Sequence, residues 1–332
     1  MKNDCVHCGI SFDFYEKGNF FVEGDSIDGY LDSSFTKMND YIAYKPYSSL
    51  EEVGEEWKKY ETSNNVRIGL SRSTKPERLI DPSTFMTRMQ ERETVSFIQR
   101  GALTSFLQPI ISMGDEAVYG YESLLRAAGN DHTFSPGKLF QVAQKTGLHS
   151  LLDQRAREEA VKARQDKVKA GVKSFINFLP STIYNPDFCL QHTFRIVEKY
   201  QINPSDLVFE VVETEKIEDV PHLQRVLERY KKEGMKVALD DVGAGFSTVD
   251  MLERLQPDYV KIDRSYIDRC DEDAEKQEFL HSTSDQAKKL GIITLAEGIE
   301  RKEEFDLCKK IGFDLAQGYF IGKPAAQLVE LR

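Results

Sequence analysis

The chain has 332 residues, 40% of them hydrophobic and 30% charged, enough for one large buried core and a smaller module. Its formal net charge of −11 argues against an extended electrostatic grip on a nucleic-acid polymer, which needs a basic surface. No apolar run approaches the roughly 20 residues that span a bilayer, and the start MKNDCVHCG lacks a basic segment followed by an apolar one, so a cytoplasmic location without membrane contact is expected.

Residues 1–82 read as a small α+β module with a linker. Cys5-Val6-His7-Cys8 has the CxxC spacing of half a zinc site. The complementary pair is missing within the module, so Zn²⁺ at Cys5 and Cys8 would need His7, a distant ligand or a second chain; the alternative is a reduced-thiol turn. Five cysteines, odd in number and scattered at 5, 8, 189, 270 and 308, argue against a disulfide framework. Short strands are expected at 10–15 and between Gly18 and Gly24. A helix with Ser49 as its cap is expected at 49–60, followed by an apolar patch at 66–70 and a polar linker. The module could sense a signal, mediate self-association or buttress its neighbour. From Ser83 one helix should run past Phe97, with Phe85, Met86, Met89 and Ile98 roughly on one face, leading into a domain that fills 83–332.

From about residue 105, strand and helix signals alternate. Gly171, Gly234, Gly291 and Gly312 each precede an apolar run. Glycine after a helix takes the left-handed conformation that ends it, so each marks a helix-to-strand turn. Repeated units of this kind imply a parallel sheet. An open doubly wound sheet and a closed barrel both fit, but about 240 residues is a typical barrel length. No glycine-rich phosphate loop follows an early strand, which weakens the open-sheet alternative.

Each apolar run ends in a residue that a buried strand would not choose for stability: Glu122, Asn177, Glu210, Asp240 with Asp241, Lys261, Glu297 and Gln317. From Asn177 onward the gaps are 33, 30, 21, 36 and 20 residues, each about one βα unit. A barrel gathers such strand ends on its C-terminal face, so four or five carboxylates and a lysine would share one mouth. Like charges that close repel and raise one another's pKa; divalent cations resolve the conflict. Oxygen donors suit Mg²⁺ or Mn²⁺, and the absence of a His or Cys set there argues against zinc. Two ions about 4 Å apart would bind a bridging water, lower its pKa and polarise a phosphoryl oxygen, which points to phosphodiester hydrolysis. One acid at a strand end is more often a helix cap or surface charge; seven polar ends in consecutive units are another matter.

With these residues placed, the chain from about 95 to 332 closely resembles the EAL family, the cyclic di-GMP-specific phosphodiesterases with a modified (β/α)8 TIM-like barrel. Gln108-Pro109-Ile110 is similar to the family's QPI, and Tyr121-Glu122-Ser123-Leu124-Leu125-Arg126 to its signature. Glu210-Val211-Val212-Glu213 corresponds to ExxE, Asp240-Asp241 with Gly243-Ala244-Gly245 to DDFGTG, and Lys261-Ile262-Asp263 to KxD. Ala296-Glu297-Gly298-Ile299-Glu300 and Gln317-Gly318-Tyr319 complete the order. The resemblance implies that Glu122, Asn177, Glu210, Asp240 and Asp241 hold two Mg²⁺ or Mn²⁺ ions. It implies that Lys261 orients the attacking water, with Glu297 as metal partner or general base. Gln108 would meet a guanine edge and Arg126 a phosphate, with Leu124 and Asp263 also at the substrate. Gln317 would position a water on the metals, Glu213 would anchor the Asp-Asp-Val-Gly loop, and Glu300 would support the site. The implied product is linear pGpG, and a homodimer is expected. The alternative is an inactive receptor or interaction module, which would have lost metal-site carboxylates that this chain keeps. Three positions depart from the family pattern: Ser123 for Ala, Val242 for Phe and Ala244 for Thr.

Overall fold

Aromatic and β-branched residues between two glycines make Gly18–Gly24 the strand β1, which pairs on both sides in an antiparallel sheet. The structure, a computed structural model, describes residues 12–25, 27–129, 134–165, 167–211, 219–243 and 249–328. The sheet runs β2 (Thr36–Lys37), β3 (Ile42–Tyr47), β1, β4 (Val66–Ser71). Helix α1 (Leu50–Trp57) starts as expected, with the Ser49 side chain accepting from Glu52 N. Phe20, Val22, Trp57, Tyr60, Ile68 and Phe85 form the core beneath.

Two expectations for this region change. Residues 12–15 form no strand, because the Gln99 side-chain amide, not a strand, satisfies Phe12: Phe12 N donates to Gln99 Oε1 at 2.7 Å and Gln99 Nε2 donates to Phe12 O at 3.1 Å. The single helix expected from Ser83 is two helices, α2 (Pro82–Gln90) and α3 (Arg92–Arg100), broken at Glu91 with φ −100° and ψ 24°. Asp81 caps α2, accepting from Thr84 N, and Pro82 sits where a missing N–H costs nothing. By packing, Met1–Ala102 and Gly129–Leu152 form one unit, and Leu103–Ala128 with Asp153–Arg332 the other. Thus α2, α3 and α4 (Pro136–Lys145) group with the sheet.

The second unit is a closed eight-stranded barrel. Its strands are β5 (Leu103–Ser112), β6 (Val118–Ala127), β7 (Lys173–Phe178), β8 (Leu207–Val211), β9 (Lys236–Val242), β10 (Tyr259–Ile262), β11 (Ile293–Ala296) and β12 (Leu315–Gln317), closed by pairing of β12 with β5 and of β9 with β10. Around it the chain forms α5 (His149–Arg164), α6 (Pro186–Cys189), α7 (Gln191–Lys199), α8 (Val220–Lys232), α9 (Val249–Leu255), α10 (Arg264–Ile267), α11 (Ala274–Leu290) and α12 (Lys302–Ile311). The four glycines read as helix-to-strand turns, Gly171, Gly234, Gly291 and Gly312, all have left-handed φ, from 69° to 96°.

The barrel is not wholly parallel: β5 runs antiparallel to both β6 and β12. The chain between β5 and β6 is only a turn, too short for the crossover that parallel neighbours require, so the two strands make a hairpin. That hairpin outgrows the barrel. Only Gly120–Ser123 of β6 pair with β7, while β6 stays paired with β5 as far as Ala127. Glu122 is therefore the fifth residue of β6 rather than its end, but it lies at the last part of the strand built into the closed wall.

Candidate active site

Side chains two apart on a strand share a face, and that rule stacks the barrel interior in layers. Ile110, Phe175, Val208, Ala238, Tyr259, Leu295 and Leu315 form one buried apolar cluster. Two residues further toward the C-terminal mouth on the parallel strands stand Asn177, Glu210, Asp240, Lys261, Glu297 and Gln317; Gln108 and Glu122, paired across the hairpin, complete the ring. Gly120, two before Glu122, leaves room for the Phe175 ring, which a Cβ there would meet at 3.1 Å. One apolar plug thus carries one polar layer, and the plug keeps that layer in a medium of low polarity.

Lys261 is the hub. It is 1% exposed, and its Nζ lies 2.6 Å from Glu297 Oε1, 2.8 Å from Glu210 Oε1, 3.0 Å from Asp240 Oδ1 and 3.9 Å from Glu122 Oε1. Glu122 is fixed by two amides: Asn177 Nδ2 donates to its Oε1 at 3.0 Å and Gln317 Nε2 to its Oε2 at 2.8 Å. Glu210 is fully buried, and among the described residues neither of its oxygens accepts a hydrogen bond. Its contact with Lys261 is an ion pair only.

Asp240 and Asp241 pose a geometric problem, since consecutive strand residues face opposite ways. The chain solves it with an irregularity in the β9–β10 register between Val260 and Ile262 and with Asp241 in the left-handed region at φ 52°, a conformation that Asp tolerates better than most residues. Asp241 N then donates to Asp240 Oδ1 at 3.0 Å. Ligand oxygens of Asp240, Asp241 and Glu297 all come within 4.8 Å of one another.

Charge balance follows from burial. Burial opposes ionisation of Glu122, but Lys261 with the Gln317 and Asn177 amides holds its carboxyl below the ordinary range. Burial pushes Glu210 and Glu297 well above that range, against the pull of Lys261 and helped by neighbouring carboxylates, and it raises Asp240 in the same way. Burial disfavours the Lys261 ammonium, yet four surrounding carboxylates keep its pKa well above the usual lysine value. One cation cannot neutralise this many acids, so without further positive charge proton uptake is favoured over ionisation.

The remaining expected residues divide. Leu124 and Arg126 share the Glu122 face of the β5–β6 ribbon beyond the wall; Arg126 Nη1 donates to Leu125 O at 2.7 Å, and its guanidinium lies 5.4 Å from the Phe106 ring centroid. Gln108 Nε2 donates to Gly322 O at 3.2 Å. Asp263 caps α10, its Oδ1 accepting from Ser265 N at 2.9 Å, and Glu300 pairs with Arg264 at 2.9 Å. Glu213, Ala244, Gly245, Cys5, His7 and Cys8 lie outside the described residues. No described helix is long and apolar enough to cross a membrane.

Ser123 stands next to Glu122 but on the opposite strand face, so its hydroxyl serves none of this. It is 5% exposed, and among the described residues Oγ has no hydrogen-bond partner. A buried unsatisfied hydroxyl costs about 1–3 kcal/mol. Ser123→Ala should therefore raise the thermal midpoint by about 2–4 °C per kcal/mol recovered and leave catalysis intact; a lower midpoint in calorimetry would show that the hydroxyl has an unseen partner.

The EAL domain family model matches residues 89–324. A probable cyclic di-GMP phosphodiesterase, PdeG of Escherichia coli (strain K12), is 32% identical over 237 residues, covering 70% of this chain and 46% of the relative. The cyclic di-GMP phosphodiesterase PdeF of the same organism is 29% identical over 249 residues, covering 74% and 32%. The chain spans less than half the length of these curated relatives. Among solved structures, the c-di-GMP bound form of a standalone versatile EAL protein from Vibrio cholerae O395 is similar with a TM-score of 0.63 and 31% identity, over 70% of this chain and 96% of that one.

Proposed function

The chain belongs to the EAL domain family, and from that premise we propose that it hydrolyses cyclic di-GMP to linear pGpG in a metal-dependent reaction. The observation that carries the reading is the ring of buried carboxylates around Lys261. The same reading includes a second copy of the chain as partner and a cytoplasmic setting.

The residues fit hard divalent cations. The donors that converge are oxygens, the cluster of Asp240, Asp241 and Glu297 contains no His or Cys, and Glu210 presents buried oxygens that accept no hydrogen bond among the described residues. Glu122, Asn177, Glu210, Asp240 and Asp241 would hold two Mg²⁺ or Mn²⁺ ions, which supply charge compensation and Lewis acidity at the phosphodiester. The side chains supply the rest. Lys261, locked by three short ion pairs, places a fixed positive charge at the floor of the mouth, where charge develops on the phosphoryl oxygens. Glu297, with its raised pKa, is suited to take the proton of the attacking water. Arg126, on the ribbon above, would meet the other phosphate, while Gln108, Leu124 and Asp263 would flank the bases.

One water is consumed. Its oxygen bonds to phosphorus, the bond from phosphorus to the ribose 3′ oxygen breaks, and the released 3′ oxygen takes up a proton. Turnover in ¹⁸O-labelled water should give pGpG with one label in its 5′-phosphate; no product, or label elsewhere, would reject the reading.

A pH dependence follows with a definite sign. Glu210, Glu297 and Asp240 have raised pKa values in the folded state, so the folded protein binds more protons than the unfolded chain above the ordinary carboxylate range. Their contribution to stability is complete below that range and is lost as pH rises through the raised values, at about 1.4 kcal/mol per pH unit for each proton. With chelator present, the thermal midpoint should fall as pH rises from about 5 to about 8, and saturating Mn²⁺ should oppose the fall. A midpoint that rises with pH in chelator would contradict the charge balance described.

A further inference from the structure

Beneath the outer helices lies a buried polar network that the proposed chemistry does not use. Asp153 on α5 is 2% exposed and Arg157, one turn on, is 1% exposed. Asp153 Oδ1 accepts from Leu179 N at 3.1 Å; its Oδ2 accepts from Thr182 Oγ1 at 2.9 Å and pairs with Arg157 Nη2 at 2.9 Å. Arg157 Nη1 donates to Thr193 Oγ1 on α7 at 2.7 Å and to Tyr230 OH on α8 at 3.3 Å.

The contacts converge on two strand ends. Leu179 and Thr182 belong to the turn just after Asn177. Tyr230 packs edge-on against Phe178, with centroids 5.3 Å apart, and stacks on Phe209 at 4.2 Å. Phe178 follows Asn177 and Phe209 precedes Glu210, so by strand alternation each ring faces outward where its neighbour faces the barrel interior. Asn177 and Glu210 are themselves direct partners in the β7–β8 register. One guanidinium–carboxylate pair thus sets the outer side of both positions.

Stability alone does not account for the pair. Buried ion pairs pay a desolvation penalty that well-packed apolar residues avoid, and Arg157 Nε has no hydrogen-bond partner among the described residues. What an apolar replacement could not do is hold Leu179 N and the Thr182 hydroxyl. We propose that Asp153 and Arg157 are positioning residues that fix Asn177 and Glu210 for cation binding. This rests on the metal-site reading above.

The test is calorimetric titration of the full chain with Mn²⁺ alone, alongside thermal unfolding. Asp153→Asn and Thr182→Val should each weaken Mn²⁺ binding about tenfold, at the lower end of what outer partners of metal ligands contribute, while keeping a cooperative transition. Thr182→Val keeps the inference testable if Asp153→Asn fails to fold. Thr182→Ser, which retains the hydroxyl, should bind like wild type; a defect equal to that of Thr182→Val would assign the effect to packing and overturn the role. Asp240→Asn is the control on the metal reading. If it weakens Mn²⁺ binding and folded Asp153→Asn and Thr182→Val do not, the positioning role is overturned. If Asp240→Asn also binds normally, the metal reading fails and this inference falls with it.

Discussion

Glu122→Ala should leave a folded barrel whose turnover of cyclic di-GMP is at least about 10³-fold below wild type, the upper range for removing a single group that stabilises transition-state charge. Glu122 is held below the ordinary carboxylate range in spite of burial, by Lys261 and two amides, and those amides, of Asn177 and Gln317, hold both its oxygens. Alanine removes the acceptor for both amides and one ligand from the site. The fold should survive because the side chain reaches the mouth, at 11% exposure, where water can replace it. Product chromatography with circular dichroism checks both halves, and turnover above a tenth of wild type in a folded variant would show that the site has been misassigned.

Lys261→Met should abolish turnover and also destabilise the metal-free protein. Methionine fills much of the same volume, so the main change is electrostatic. Glu210, Asp240 and Glu297 lose the cation 2.6–3.0 Å away, and removing one partner of a buried charge cluster costs about 3–5 kcal/mol. At about 2–4 °C per kcal/mol for a domain of this size, the midpoint should drop by about 10 °C. The loss should be smaller at low pH, where the acids accept protons, and smaller again with saturating Mn²⁺. An unchanged midpoint in chelator would mean that Lys261 does not neutralise these carboxylates in solution.

Much of this site is legible in the sequence because a barrel converts a one-dimensional rule into a ring. A strand that is buried on both faces should be apolar throughout, so a charged residue near its end stands out; Asn177, Glu210, Asp240, Lys261, Glu297 and Gln317 all do. The rule misplaces Glu122 within its strand because β6 continues past the wall as a hairpin, and no local signal distinguishes an antiparallel first strand from a parallel one. It also misses the partners of Glu122, since pairing across β6, β7 and β12 depends on barrel closure. Asp153 and Arg157 are less visible still: on a 16-residue helix rich in charge they read as ordinary solvated positions, and only the packing of α7 and α8 around them shows that they are buried. In the smaller unit, the Gln99 side chain that stands in for a strand partner of Phe12 lies 87 residues away, beyond the reach of any local pattern.

Loaded with divalent cations, this ring of acids should cleave a cyclic dinucleotide. Incubation of the purified protein with cyclic di-GMP and Mg²⁺ or Mn²⁺, with and without chelator, tests it most directly. pGpG should appear only when the metal is present; tight binding of cyclic di-GMP without any product at any metal concentration would overturn hydrolysis and identify a receptor.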